Sequence, residues 1–342
     1  MSADPASSTS PARRVLVTGG AGFVGSHLVD LLVARGHRCV VLDDLSTGDT
    51  ANLAAHVGAD AVTFVRGDAG DRDLVARLAE GCDAVAHLAA SVGVRRVVDA
   101  PGATLRNNLA STLAVVDAAV AAGLPLLLAS TSEVYGKSDA LPFREDGDLV
   151  LGATTRARWS YAAAKATGEW LALAAGDEHG LPVRIARLFN TVGPRQTGRY
   201  GMVLPRFVGA AKAGAPLEVH GDGRQTRCFA HVGDVVRDLA GLLDGLVAAR
   251  GTAEPEGHPR VFNVGSDEEV AIADLARRVV AATDSASEVR LVPYARAFGA
   301  GFEDMVRRVP CLDALDAELG PRPRRDLQAI VAELVELVPA AG

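Results

Sequence analysis

A short β-branched run, Arg14-Val15-Leu16-Val17-Thr18, opens directly into Gly19-Gly20-Ala21-Gly22-Phe23-Val24-Gly25, and residues 26–34 then carry apolar side chains at helical spacing. Strand, glycine turn and helix in that order leave few folds open. The glycines let the backbone approach a phosphate, and the helix N-terminus meets its charge. A second apolar strand, Cys39-Val40-Val41-Leu42, ends in Asp43, eighteen residues past Gly25. A dinucleotide-binding βαβ unit places there the carboxylate that hydrogen-bonds an adenosine ribose. Asp43 would repel a 2′-phosphate and no arginine follows closely, so the expected cofactor is NAD rather than NADP. Gly19, Gly22, Phe23, Val24, Gly25, Asp43 and Asp44 are the candidate cofactor residues of this unit.

The alternation continues. Strands are expected at 61–66, 83–88, 124–130 and 183–189, and helices at 71–79, 104–121 and 160–175. Alternating strands and helices predict an α/β fold, a Rossmann-type doubly wound parallel sheet with ligands at the carboxyl ends of the strands. Thr131 and Asn190 fall just after two of those strands. Beyond about 190 the texture changes: Pro, Gly and Arg crowd 193–206, and helical patterns return at 232–248, 270–282 and 325–338. The division expected is a tail over 1–13, an NAD-binding domain over 14–190 and a smaller substrate-binding lobe over 191–342, with a strand or two returning to the main sheet.

Composition narrows the partners. The net charge of −7 over 342 residues argues against general affinity for nucleic acid or anionic membranes. The longest apolar stretch, 113–130, is broken by Asp117, Gly123 and Pro125, so no membrane span is expected. Cys39, Cys82, Cys228 and Cys311 form no CxxC pair and read as reduced thiols of a cytoplasmic protein. The eight histidines show no ligand spacing, and no metal site is expected. Residues 1–13 lack an apolar core and read as a disordered tail, not a signal peptide.

Tyr161 and Lys165 lie one turn apart on the expected 160–175 helix and share a face. An ammonium close to a phenol favours the phenolate, so Tyr161 becomes a candidate base far below its ordinary pKa of about 10. About thirty residues earlier stands Ser130-Thr131-Ser132-Glu133-Val134-Tyr135-Gly136, which the parallel sheet brings toward the same cofactor.

TGGAGFVGSH, VLDDLSTG, GD at 67–68, HLAA at 87–90, NN at 107–108, STSEVYG, YAAAK, RLFNTVGPRQ, GDGRQTRCF and FNVGS together resemble the extended short-chain dehydrogenase/reductase family. The likeness is to its nucleotide-sugar epimerases, dehydratases and decarboxylases, and it covers roughly residues 14–335. It implies that Thr131, Tyr161 and Lys165 are a catalytic triad. Tyr161 would take the proton of a sugar C4 hydroxyl, Thr131 would bond the same oxygen, and Lys165 would hold the nicotinamide ribose. Asp68, Leu88, Ala89 and Asn108 match cofactor-lining positions. Asn190, Arg227 and Arg308 match contacts to a substrate diphosphate, and Arg206 is counted with them. The resemblance also implies a homodimer built on the 104–121 and 160–175 helices, and it favours a UDP-sugar substrate.

Once a C4 ketone exists, the neighbouring residues decide its fate. The Thr-Ser-Glu triplet followed by Arg-Cys-Phe resembles UDP-glucuronate decarboxylases, in which the residues matching Glu133 and Arg227 take part in decarboxylation. Ser91 to Arg95, after HLAA, looks more like the 4-epimerases, and 4-epimerisation is the alternative. A 4,6-dehydratase, with Ser132 standing where the C6 acid would be, and a non-catalytic NAD-binding regulator rank behind. Arg95 is placed to meet a uronate carboxylate in either leading case. The 141–158 stretch, with Arg144, Arg156 and Arg158, reads equally as a cover over the site or as plain surface.

Overall fold

The structure, a computed structural model, describes residues 11–56, 58–93, 97, 99–196, 202–251, 257–298 and 303–338. Arg95 and residues 1–10 of the expected tail lie outside the described residues. Seven strands form one sheet: β1 (Arg14–Thr18), β2 (Arg38–Asp43), β3 (Val62–Arg66), β4 (Ala84–His87), β5 (Leu126–Thr131), β6 (Val183–Leu188) and β7 (Val261–Val264). Their order is β7-β6-β5-β4-β1-β2-β3, and every neighbouring pair is parallel. The order reverses beside β1, so the chain after β1 and after β4 opens a crevice at the carboxyl ends of the strands.

Successive strand side chains point to opposite faces, and both faces are covered. Val15, Val17 and Val41 belong to a core shared with α1 (Phe23–Ala34) and α6 (Val232–Ala248). Leu16, Val40 and Leu42 belong to a second core with α2 (Arg72–Ala79), α3 (Pro101–Ala122) and α4 (Ser160–His179). Thus β7 and α6, from the second half of the chain, complete the first unit.

The stretch 193–206 contains a helix start that its Pro and Gly content hides. In α5 (Val203–Lys212), Leu204, Phe207, Val208 and Ala211 are buried at helical spacing. Pro205 falls in the first turn, where its missing N–H costs no intrahelical bond. α5 shares a third core with the helices Ile272–Ala282 and Leu327–Leu337. Beside them the strand Leu217–His220 pairs with Val289–Val292, and Thr226–Cys228 with Glu269–Ala271. No helix among the described residues is long and apolar enough to cross a membrane. Nor do they hold a group of three His, Cys, Asp or Glu side chains suited to a metal ion.

Candidate active site

A cleft of about 490 Å³ runs along the carboxyl ends of the strands. Gly19 and Gly25 shape one end of it. Gly19 has φ +71°, and a Cβ there would meet Ala89 N at 2.7 Å; a Cβ on Gly25 would lie 2.1 Å from the Gly19 carbonyl oxygen. Neither position accepts a side chain, so α1 starts hard against the end of β1. The α1 N-terminus carries no side-chain cap and no acid in its first turn, and its exposed N–H groups suit a pyrophosphate. Gly22, Phe23, Val24, Asp43, Asp44 and Asp68 line this end, and Leu88, Ala89, Tyr161 and Lys165 line the rest.

Asp43 is held in place by accepting from Ala21 N at 3.0 Å and from Leu45 N at 2.8 Å. Burial pushes its pKa up while these N–H groups oppose the shift. The closed glycine turn, the open helix end and the carboxylate that ends β2 fit NAD.

Asn108 is placed differently from the expectation. It is buried at 2% exposure, accepts from Ser91 N at 2.8 Å and donates to the Ser91 carbonyl at 3.1 Å. It therefore pins the chain after β4, and its neighbour Asn107 stands on the cleft wall instead. The second half supplies wall residues that the sequence reading missed. Arg195 and Gln196 line the cleft, and Arg195 bonds Ser26 Oγ at 3.0 Å and Asp30 at 2.8 Å. His27 donates to the Pro194 carbonyl at 3.0 Å, so this loop is tied across to α1.

At the other end of the cleft Thr131 is the last residue of β5, and Tyr161 lies in the first turn of α4. Thr131 stands close enough to the phenol to favour its ionised form. Burial, then the charge of Glu133, raises the Tyr161 phenol well above its ordinary pKa; Thr131, Arg308 and Arg158 pull the other way. Lys165 is one turn on, as expected, but its Nζ donates to the Ala129 carbonyl at 2.8 Å. Burial lowers its pKa to about 8 against the pull of Glu169. The cationic influence on the phenol thus comes chiefly from the arginine side of the site.

Ser132 is buried in the single helical turn Ser132–Tyr135 that follows β5. Glu133, in the same turn, meets Arg158 Nη1 at 2.5 Å and Arg308 Nη1 at 3.5 Å. Arg308 also donates to the Asn190 side-chain oxygen, while Asn190 Nδ2 donates to the Cys228 carbonyl at 2.8 Å. Arg227 donates to Asp304 at 2.9 Å and to the Thr226 carbonyl at 2.8 Å. Burial would raise the Glu133 pKa, but Arg158, Arg308 and Arg227 together hold it below the usual carboxylate range. Burial and the like charge of Arg227 bring Arg308 down to about 10.

Arg206 is spent elsewhere, on the His220 ring at 3.1 Å and the Glu218 carbonyl at 2.9 Å. The 141–158 stretch divides. Phe143 is buried and stacks on Tyr135 at 4.5 Å, and the Arg144 and Arg156 side chains are 59% and 47% exposed while that of Arg158 is 5% exposed. At the charged end of the site, Arg158 and Asp304 join Arg195 and Gln196 as residues that the sequence reading did not assign.

Residues 15–265 match the NAD dependent epimerase/dehydratase family. The chain is 37% identical over 302 residues to a UDP-N-acetyl-alpha-D-glucosaminuronate decarboxylase of Bacillus cytotoxicus, covering 87% of this chain and 89% of the relative. Its fold superposes with a TM-score of 0.83 on a UDP-N-acetylglucosamine 4-epimerase from Methanobrevibacter ruminantium M1, at 26% identity and covering 96% and 98% of the two chains. It also superposes, with a TM-score of 0.82 and 31% identity over 95% and 96% of the chains, on the dTDP-glucose 4,6-dehydratase DesIV from Streptomyces venezuelae with NAD bound. The glycine cradle, the carboxylate that ends β2 and the Thr131, Tyr161 and Lys165 set are thus carried by a chain that belongs to the NAD dependent epimerase/dehydratase family.

Proposed function

We propose that this protein is an NAD-dependent decarboxylase of UDP-hexuronates that works through a C4 ketone. The observation that carries the reading is the convergence of Arg158, Arg227 and Arg308 on Glu133 and Asp304 beside the Thr131 and Tyr161 pair. Three guanidinium groups against two carboxylates leave one positive charge in excess, which suits an anionic sugar nucleotide. Arg308 Nε is moreover a buried donor without a partner among the described residues, of the kind a bound anion satisfies. The likeness to a UDP-N-acetyl-alpha-D-glucosaminuronate decarboxylase supports the same choice.

The chemistry follows from the groups in place. The Gly19 to Gly25 turn and Asp43 would hold NAD, which when bound would supply the acceptor for the C4 hydride. Tyr161 takes the proton of the C4 hydroxyl, with Thr131 bonded to the same oxygen. Oxidation at C4 turns the hexuronate into a β-keto acid. Its C5–carboxylate bond then breaks, carbon dioxide leaves, and the electron pair moves to the C4 oxygen, where the Tyr161 and Thr131 hydroxyls stabilise it. An ionised Glu133 near C5 disfavours negative charge on the substrate carboxylate and so favours its movement toward C4. A proton from water replaces the carboxylate at C5, and Tyr161 gives its proton back to the C4 oxygen as the ketone is reduced.

A 4-epimerase is the second reading, favoured by the fold match to such an enzyme. It requires no charged group at C5. Purified protein with NAD should be incubated with UDP-glucuronate, UDP-N-acetylglucosaminuronate and UDP-glucose in parallel, following carbon dioxide and product mass. Carbon dioxide from a uronate is the expected outcome; an epimer of unchanged mass would replace the decarboxylase reading.

We also infer a homodimer through α3 and α4, on which Leu113 and Trp170 stand 36% and 64% exposed, a pattern that sedimentation at micromolar concentration tests. The four cysteines are free and buried, which supports a cytoplasmic location.

A further inference from the structure

The charged groups of the site form a ladder of alternating sign. Arg308 meets Glu133 at 3.5 Å, Glu133 meets Arg158 at 2.5 Å, Arg158 meets Asp304 at 3.5 Å, and Asp304 meets Arg227 at 2.9 Å. Its rungs come from distant parts of the chain. Glu133 follows β5, Arg158 precedes α4, Arg227 lies on the Thr226–Cys228 strand, and Asp304 and Arg308 belong to the segment before residue 311.

Arg158 is divided between two carboxylates, with Nη1 on Glu133 and Nη2 on Asp304. Its guanidinium also lies over the Trp159 ring at 5.5 Å. A planar fork held at two points cannot turn without releasing one of them. Asp304 is itself fixed, since its Oδ1 accepts from Met305 N at 2.8 Å and its Oδ2 from Arg227 at 2.9 Å.

We propose that Asp304 is a positioning residue: acting through Arg158, it aims Glu133 and tempers the guanidinium's pull on it without touching the substrate. The consequence is electrostatic as well as geometric. Glu133 faces Arg158 from the turn before α4, Tyr161 from α4, Arg227 from its strand, and Arg308 from the C-terminal segment. Asp304 faces Arg158, Arg227 and Tyr294. Arg158 is shared between the two carboxylates. Removing that one negative charge leaves the whole of Arg158 to Glu133, so Glu133 holds its proton less well.

The proposal rests on Glu133 taking part in turnover, as argued above. Carbon dioxide release by the wild type tests that reading, and the variants are compared on whichever UDP-sugar the wild type turns over, so the two can fail separately. In Asp304→Asn, kcat should fall about tenfold with KM changed less than about threefold, the signature of a lost transition-state arrangement. The acid limb of its kcat profile should move to lower pH, and Asp304→Glu should recover part of the rate. Arg158→Lys, which keeps the charge and loses the fork, should give the same loss. Adding Asp304→Asn to it should cost no more than about threefold further, because residues acting in series are not additive. Melting temperature and NAD content identify any variant that is simply misfolded. An unmoved acid limb with wild-type kcat in Asp304→Asn overturns the proposal. So does a tenfold rise in KM at unchanged kcat, or full additivity in the double variant.

Discussion

Glu133 Oε2 lies 2.5 Å from Arg158 Nη1, so the turn that ends β5 and the turn that starts α4 are joined by an ion pair inside the site. Both partners are largely withdrawn from water, at 14% and 5% side-chain exposure. A buried carboxylate left alone would take up a proton. Here the arginines outweigh burial and keep Glu133 ionised at neutral pH. Its lowered pKa contributes stability above the ordinary carboxylate value, which is lost as pH falls through the folded value.

Glu133→Gln keeps the shape and removes the charge. On the proposed reading, carbon dioxide release falls by about 10²-fold or more, the range of a lost preorganised charge in an active site. NAD content should stay that of the wild type, because Glu133 is not on the cofactor end of the cleft. Coupled carbon dioxide detection and the absorbance ratio of the purified protein check the two halves.

Tyr161 is raised first by burial and second by the charge of Glu133. The same Glu133→Gln variant should therefore lower the phenol's pKa. In single turnovers followed at the absorbance of reduced cofactor, the rising limb of the oxidation step should move to lower pH. Tyr161→Phe should slow that step by about 10² to 10⁴-fold. An unshifted limb in Glu133→Gln would mean that Glu133 does not act on the phenol.

Gly25 and Gly22 give a graded test of the cofactor cradle. A Cβ on Gly25 would sit 2.1 Å from a backbone oxygen, whereas one on Gly22 would sit 3.1 Å from the same atom. Gly25→Ala must displace backbone at a cost of about 1–3 kcal/mol, as overpacking does. It should lower the melting temperature and leave the purified protein depleted of NAD. Gly22→Ala should do less of both; equal effects would count against the cradle.

What could be read from the chain and what could not divide along a physical line. The glycine turn, Asp43 and the Tyr161 and Lys165 pair are local patterns, set by strand and helix geometry within a few residues. Arg158 is different. It resembles Arg144 and Arg156 in sequence, and what separates it is Asp304, 146 positions away, together with the buried Trp159 beside it. No local pattern carries such a pairing. Asn107 and Asn108 show a subtler limit: adjacent helical residues point about 100° apart, so an error of one position exchanges the cleft wall for the core. The course of Lys165 depended on the Ala129 carbonyl, which helix periodicity does not describe.

His87, from the HLAA stretch, offers a test of the fold that is independent of any substrate. It ends β4 with no exposed surface, pairs through Nδ1 with Thr18 Oγ1 at 2.7 Å and through Nε2 with Thr112 Oγ1 at 3.4 Å. Burial, and then the charge of Lys165, lowers its pKa to about 3. The folded protein thus refuses a proton that the unfolded chain accepts below about pH 6.5. Stability is lost as pH falls from the unfolded value toward the folded one, by about 1.4 kcal/mol for each unit. His27, His37, His220 and His231 are lowered too and act with the same sign, so the wild-type slope alone would not isolate His87. The comparison with His87→Gln does, since that side chain is polar, of similar size and does not titrate. Between pH 6.5 and pH 5, above the window where Glu133 begins to titrate, denaturant unfolding of the wild type should lose about 2 kcal/mol more than the variant. Equal slopes would mean that His87 is reached by water or protonated in place, and that the end of β4 is not the sealed wall of the cleft described here.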